Sequence, residues 1–500
     1  MSLLRVFTEI CRSGLGAVNR TALPSRLHRD ARVIALRRIG AGKERETYPE
    51  LRWYRGTKHM FRPKNKSACS WGGFLCLSRI ARCKIEEFQL EVLIIMVINK
   101  SLKLENVRYD IRGPISDEAD RLEKEGISII RLNTGNPAAF GFEAPVSVLN
   151  ALTESSGSSA QYSSSKGLAN VREAIARYSS SMGIPNVEAD DVYTGNGVSE
   201  LIQVAMQAFL NPGDEILIPT PDYPLWTAAT ILAGGTAVHY ICDEEQDWYP
   251  DIDDIKKKIT SNTRAIVVIS PNNPTGTVYP KELLGSIAEL AREHKLVLFS
   301  DEIYDRLIMD GGEHVSISSL APDLLTVVFN GLSKSHQICG YRAGWMVLAG
   351  DKSGAGGYIE GINVLVSMRL CSNVTGQSVI CAALEDTQSV KANISPGGRL
   401  YEQREYAYNA LINIPGISAV KPRGTLYIFP KIDTEMYGIT NCDKFVLDFL
   451  REKHVLLTHG RSYNWMKPDH FRVAYLPEMD ELVEVISRLS DFLATYQQSS

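Results

Sequence analysis

From about residue 140 to residue 395 the chain alternates short apolar runs with longer amphipathic ones, and this rhythm constrains its fold more than any other feature. Ile216-Leu217-Ile218-Pro219 leads through a loop to an amphipathic stretch over 225–232. Ala265-Ile266-Val267-Val268-Ile269 leads to another over 281–294, and Lys295-Leu296-Val297-Leu298-Phe299 runs on to Asp301. Runs this short and apolar read as strands buried on both faces, and strands separated by helices of this length pair in parallel. The expected class is α/β with a mostly parallel sheet, whose ligands bind outside the C-terminal ends of the strands. From Pro396 the pattern becomes α+β: a charged helix from about Leu400, short strands, and a closing helix from Glu478. The expected division is a large domain over 141–395 and a smaller one over 396–500.

Residues 1–95 do not share this character. They carry a net charge of roughly +11 against roughly -15 for the remainder, an asymmetry that is itself a signal. They show no sustained helical or alternating period. Three readings compete: an arginine-rich transit peptide over about the first 43 residues, a disordered basic arm, or an upstream stretch outside a protein that begins at Met96. The third is the expectation, and no chemistry is assigned to this stretch.

The net charge of -4 gives no reason to expect nucleic acid or an acidic membrane surface as partner. No apolar run approaches the roughly 18 residues of a membrane helix. The nine cysteines are odd in number and scattered, with no CxxC pair, which argues for reduced thiols and a cytoplasmic location.

The chemistry concentrates where apolar runs end. Gly331-Leu332-Ser333-Lys334 follows the run Leu324–Phe329, and Arg342 comes eight residues after the lysine. A lysine at the mouth of a buried strand is costly unless its charge is used or suppressed; partial burial lowers its pKa and makes its amine a nucleophile toward an aldehyde. The arginine suits a phosphate dianion. An aldehyde and a phosphate on one ligand describe pyridoxal phosphate, although a solvated lysine is the commoner outcome for such a position.

Other segments bear on the choice. Gly195-Asn196-Gly197-Val198 joins a strand to a helix and is either a tight turn or a backbone anion site; it lacks the GxGxxG dinucleotide pattern. Asp301 is either a helix cap or the partner of a protonated ring nitrogen. In Ser270-Pro271-Asn272-Asn273-Pro274-Thr275-Gly276, a loop held by two prolines, Asn273 can donate to a phenolate oxygen, and Tyr304 can reach the same atom. Tyr223, in Pro221-Asp222-Tyr223-Pro224, is either core packing or a ring that stacks on a pyridine. Arg472, in the apolar run His470-Phe471-Arg472-Val473, needs a partner: an internal carboxylate or the carboxylate of an amino acid.

Together these segments resemble the fold-type I pyridoxal-phosphate enzymes, specifically class I aminotransferases, and among them the bacterial AlaA-type glutamate–pyruvate (alanine) aminotransferases. The likeness runs from about Lys103 to the C-terminus. It is carried also by Tyr109-Asp110-Ile111-Arg112-Gly113-Pro114, Asn133-Thr134-Gly135-Asn136-Pro137, Phe140–Pro145 and Pro396–Arg404. The resemblance implies a seven-stranded sheet in the large domain, a segment 96–140 that joins the small domain, and a homodimer. It implies pyridoxal 5'-phosphate bound covalently by Lys334, which also moves the substrate proton. Asp301 would hold the pyridinium, Asn273 and Tyr304 the phenolate oxygen, and Tyr223 the ring face. Arg342 with the backbone at Gly197 and Val198 would hold the phosphate, joined by Tyr162 from the neighbouring subunit. Arg472, Asn273 and the backbone at Gly135 would fix the substrate carboxylate, and Arg112 the distal carboxylate of glutamate. The chain departs from the subfamily at His336 and Gln337, where an aromatic residue and an arginine are usual, which puts local loop packing or phosphate affinity in question. Rival functions are transamination of another amino donor, a C–S β-lyase of the same fold, and a non-catalytic regulator.

Overall fold

The computed structural model describes residues 98–110 and 113–499, together with three short strands at Leu36–Ile39, Lys84–Ile85 and Phe88–Val92. Those strands pair antiparallel with Phe88–Val92 in the middle. The rest of the expected N-terminal extension, and Arg112, lie outside the described residues. A separate compact unit begins at Leu102.

That unit is organised by one large sheet. Its strands lie in the order Val192–Asn196, Ala343–Ala349, Thr326–Gly331, Val297–Asp301, Thr263–Ile269, Glu215–Thr220, Thr236–Asp243 and Tyr249–Pro250. The first seven are the expected seven-stranded sheet, and the two-residue Tyr249–Pro250 strand adds an eighth at the edge. The five central strands from Thr326–Gly331 to Thr236–Asp243 pair in parallel, while Ala343–Ala349 runs antiparallel to both its neighbours.

Strand periodicity explains why the runs are apolar throughout. Ile266 and Val268 pack on one face with Leu284, Ile287 and Ala291 of the Lys281–His294 helix. Ala265, Val267 and Ile269 pack on the other with Leu201, Ile202 and Met206 of the Val198–Phe209 helix. Alternate residues thus serve two cores, and each large side chain taken from water contributes on the order of 2 kcal/mol.

The smaller α+β part packs a further core, which Tyr304, Leu307 and Met309 of the preceding part also enter. Helices Arg399–Ile412, Cys442–Lys453 and Met479–Leu493 pack Leu411, Phe449 and Leu489 against Ile428 and Val473 of the strands Tyr427–Ile428 and Phe471–Ala474. Leu132 and Phe142 join the same core, and Ile130–Arg131 pairs in parallel with Val455–Leu456. Arg404, fully buried, bonds Asp310 at 2.7 and 2.6 Å and so links the Arg399–Ile412 helix to a loop beyond the sheet. No described helix is long and apolar enough to cross a membrane.

Candidate active site

The C-terminal ends of the central strands open into a cavity of about 650 Å³. Its wall includes Tyr223, Asn273, Asp301, Tyr304, Lys334 and Arg342 from the sheet side, Gly135 from the N-terminal segment, and Arg472 from the Phe471–Ala474 strand. Val198 lines it as well. Topology accounts for the convergence: Asp301 ends its strand, Lys334 follows Gly331 by three residues, and Tyr223 follows Thr220 by three.

Lys334 Nζ donates to the Gly135 carbonyl at 2.6 Å and lies 3.9 Å from Cys339 Sγ. A Cβ on Gly135 would come within 1.9 Å of the Tyr427 hydroxyl and 3.2 Å of Lys334 Nζ, so only glycine admits this approach. The expected lowering of the lysine pKa is not what the surroundings produce. Burial does push it down, but Tyr427 and Cys339 more than offset this, and the amine stands above its ordinary 10.5. Tyr427 moves the opposite way: burial pushes it up, and Lys334 and Arg472 bring it below 10.0.

Asp301 is buried with Trp226 Nε1 donating to its Oδ2 at 3.0 Å. Burial pushes its carboxyl up to about 6, against the opposing bond from Trp226. It therefore awaits a cation, since a carboxylate in this position gains its charge most readily beside one.

Gly197 stands behind the cavity wall at the start of the Val198–Phe209 helix, with φ +76° and no side-chain cap on the first turn. A Cβ there would meet Arg342 Nη2 at 2.1 Å. Arg342 donates to the Asn196 carbonyl at 3.1 Å and the Cys339 carbonyl at 2.8 Å, and among the described residues no carboxylate pairs with it. An uncapped helix N-terminus beside a guanidinium with no carboxylate partner among the described residues has the charge and donors to receive an anion.

Arg472 is buried, donates to Asn273 Oδ1 at 2.9 Å and to the Asn133 carbonyl at 2.7 Å, and lies over the Tyr427 ring at 3.9 Å. Its Nε has no hydrogen-bond partner. Among the described residues its partners are neutral, so the internal salt bridge that the sequence left open is absent there and the charge is free for an anionic ligand. With Oδ1 of Asn273 engaged, the amide nitrogen is the group left to donate.

Tyr304 bonds Tyr427 hydroxyl to hydroxyl at 3.1 Å, and Tyr223 bonds Tyr109 at 2.8 Å. Tyr162 is not part of this cavity; it stands 80% exposed on the surface. His336 is buried with Nδ1 on Ser335 Oγ at 2.9 Å, and Gln337 takes a left-handed backbone at φ 61°. The altered loop thus packs inward, and Arg342 beyond it keeps its contacts. Sequence reasoning missed Tyr427, Tyr109, Trp226 and Cys339. Tyr109 begins one of the segments that carry the resemblance, but nothing local marks it as the partner of Tyr223, nor Trp226 as the donor to Asp301.

These residues fit pyridoxal phosphate: a glycine cradle beside Arg342 for the phosphate, a buried carboxylate for the ring nitrogen, and an amine for the aldehyde. The comparisons with known proteins bear on the family. Residues 127–489 match the family described as aminotransferase class I and II. The chain is 55% identical over 401 residues to the glutamate-pyruvate aminotransferase AlaA of Escherichia coli strain K12, covering 80% of this chain and 99% of that protein. It is 50% identical over 400 residues to the alanine aminotransferase of Mycobacterium bovis, covering 80% and 93%. A crystal structure of an aminotransferase from Escherichia coli superposes with a TM-score of 0.80 at 55% identity, covering 81% of this chain and all of that one. With the family match over residues 127–489 and 55% identity over 401 residues to one of its members, the chain belongs to the class I and II aminotransferases.

Proposed function

We propose that this protein moves an amino group between L-alanine and 2-oxoglutarate, giving pyruvate and L-glutamate, with pyridoxal 5'-phosphate as cofactor. The observation that carries the reading is one cavity in which a lysine amine and a buried aspartate meet two arginines without a carboxylate partner among the described residues. The names of the relatives support the choice of substrates.

Pyridoxal phosphate supplies an electron sink for the charge left when a substrate loses its Cα proton. The residues do the rest. Arg342 and the amides at Gly197 and Val198 hold the phosphate. Asp301, charged beside the ring nitrogen, keeps that nitrogen protonated. Asn273 and Tyr304 donate to the phenolate oxygen, and Tyr223 covers the ring face. Arg472 takes the substrate α-carboxylate through its fork, assisted by Asn273 and the backbone at Gly135. Lys334 Nζ would hold the aldehyde and would move the Cα proton of the substrate. The amino group would stay on the loaded enzyme after the first oxo acid departs and pass to the second when it binds in the same place, so ping-pong kinetics are expected.

Arg112 is the residue assigned to the distal carboxylate of glutamate. The assembly in this reading is a homodimer in which Tyr162 of each chain reaches the phosphate held by the other, consistent with its exposure on the single chain. A cytoplasmic setting is supported by the free thiols of Cys242, Cys339, Cys371, Cys381 and Cys442.

The test is a panel of amino donors with 2-oxoglutarate on the purified full-length chain. Alanine is expected to give the highest kcat/KM, with parallel double-reciprocal lines. Pyruvate release from a cysteine conjugate without any oxo-acid acceptor, and no turnover of alanine, would overturn the assignment. For Arg112→Ala, an unchanged kcat/KM for glutamate would remove its role.

A further inference from the structure

A buried acid next to the cofactor-facing tyrosine has no part in the chemistry above. Asp222 is fully buried, in the loop that presents Tyr223. Its Oδ1 accepts from Asn464 Nδ2 at 2.6 Å, and its Oδ2 accepts from Thr227 Oγ1 at 3.1 Å. Its backbone N–H donates to the Tyr463 carbonyl at 3.0 Å. One residue before the loop, Thr220 Oγ1 donates to the Asn464 carbonyl at 2.8 Å. Asn464 also reaches Thr227 Oγ1 at 3.2 Å.

These bonds cross between two parts of the chain. Thr220, Asp222 and Thr227 belong to the end of a sheet strand and the helix after it. Tyr463 and Asn464 belong to the turn that precedes the Arg472 strand. The Tyr463 ring lies 4.8 Å from the Arg472 guanidinium. Asn464 holds a left-handed backbone at φ 58°, a conformation that asparagine tolerates and that here aims its amide at Asp222. The carboxylate is held by neutral donors alone among the described residues. Burial pushes it up to about 7, against the bonds from Asn464 and Thr227. A purely packing role would be served at less cost by an apolar side chain, because a buried acid must be repaid by its bonds.

We infer that Asp222 is a positioning residue that locks the Tyr223 loop to the 460–464 turn. It thereby fixes the cofactor-facing ring and the carboxylate-binding Arg472 in one register. The inference deepens the proposed transaminase reading and rests on it for the roles of Tyr223 and Arg472. It predicts that loosening the lock misplaces both binding groups, while Lys334 and Asp301, which ride on other strands, stay where they are.

The test compares Asp222→Ala with the reciprocal exchange Asp222→Asn with Asn464→Asp, on the full-length chain loaded with pyridoxal phosphate. In the exchange the amide and carboxylate trade places and the cross-link can re-form. Asp222→Ala is expected to raise KM for amino and oxo acid together by about tenfold, the scale of leaving one buried hydrogen-bonding group unsatisfied. The kcat should change less. Hydrogen–deuterium exchange at 460–465 should rise in the same variant, with and without cofactor. The reciprocal exchange should restore both readouts toward wild type.

A fall in melting temperature with KM and exchange at 460–465 unchanged would make Asp222 a merely structural residue and overturn the inference. So would a reciprocal variant that folds yet behaves like Asp222→Ala. If Asp222→Ala does not fold, the reciprocal variant alone decides, through KM and exchange. A wild type that binds the cofactor but transaminates nothing would count against the functional reading, leaving the exchange measurement to judge the lock.

Discussion

Replacing Asp301 with asparagine separates the cost of a buried charge from its use. In the cofactor-free protein this carboxyl is pushed from an ordinary 3.8 up to about 6, first by burial and against the bond from Trp226 Nε1. The native state therefore keeps a proton that the unfolded state has released. Across pH 4 to 6 it binds more protons than the unfolded chain, and stability falls as pH rises. The displacement corresponds to about 3 kcal/mol, fully lost above the native pKa. Asparagine keeps the shape and carries no titrating group. The difference in unfolding free energy between Asp301→Asn and wild type, measured by urea titration without cofactor, should thus grow by about 2.5 kcal/mol between pH 4 and pH 7 in favour of the variant, the rest of the displacement being lost below pH 4. Asp222 adds its own slope up to about pH 7, but both proteins share it and it cancels in the difference. Adding pyridoxal phosphate should reverse the ranking, because the wild-type charge then has a partner and the amide has none to offer. A difference that stays flat from pH 4 to 7 without cofactor would refute the claim that Asp301 is held at a cost until a cation arrives.

Three further outcomes follow from single contacts. Gly197→Ala puts a Cβ 2.1 Å from Arg342 Nη2 at φ +76°; a backbone cost of about 1–2 kcal/mol should appear in the melt, and a weaker affinity in a pyridoxal phosphate titration. Arg404→Met removes the pair with Asp310 and should cost about 2 kcal/mol in urea, less than a fully enclosed pair because Asp310 reaches solvent. Tyr427→Phe removes a neighbour that pushes the Lys334 pKa upward, so the pH at which Lys334 becomes reactive to reductive methylation in the cofactor-free protein should fall; mass spectrometry of the labelled peptide reads this directly.

The parts of the site that were legible in the sequence are those whose chemistry is expensive inside a core. Lys334, Asp301 and Arg472 each put a charge at or beside an apolar run, and the cost of desolvating that charge demands a compensating partner wherever the run folds. The strand ends were legible for a related cause: a run such as Ala265–Ile269, apolar at every position, needs cover on both faces, and the helices on either side supply it. Tyr427, Tyr109 and Trp226 gave no such signal, because an aromatic residue near an apolar run is ordinary and only its position is special. That position depends on contacts far apart in sequence. Tyr427 meets Tyr304 across 123 residues, and Trp226 meets Asp301 across 75. Arg472 shows where the two kinds of knowledge join. Sequence chemistry required that it have a partner but could not choose between an internal carboxylate and a ligand. Folding surrounds it with Asn273, the Asn133 carbonyl and the Tyr427 ring, all neutral, and leaves Nε unpaired. A buried guanidinium bonded only to neutral groups among the described residues is held in place yet left without a counter-charge there, which is why the sequence alone could not choose and why the proposed reading gives it the substrate carboxylate.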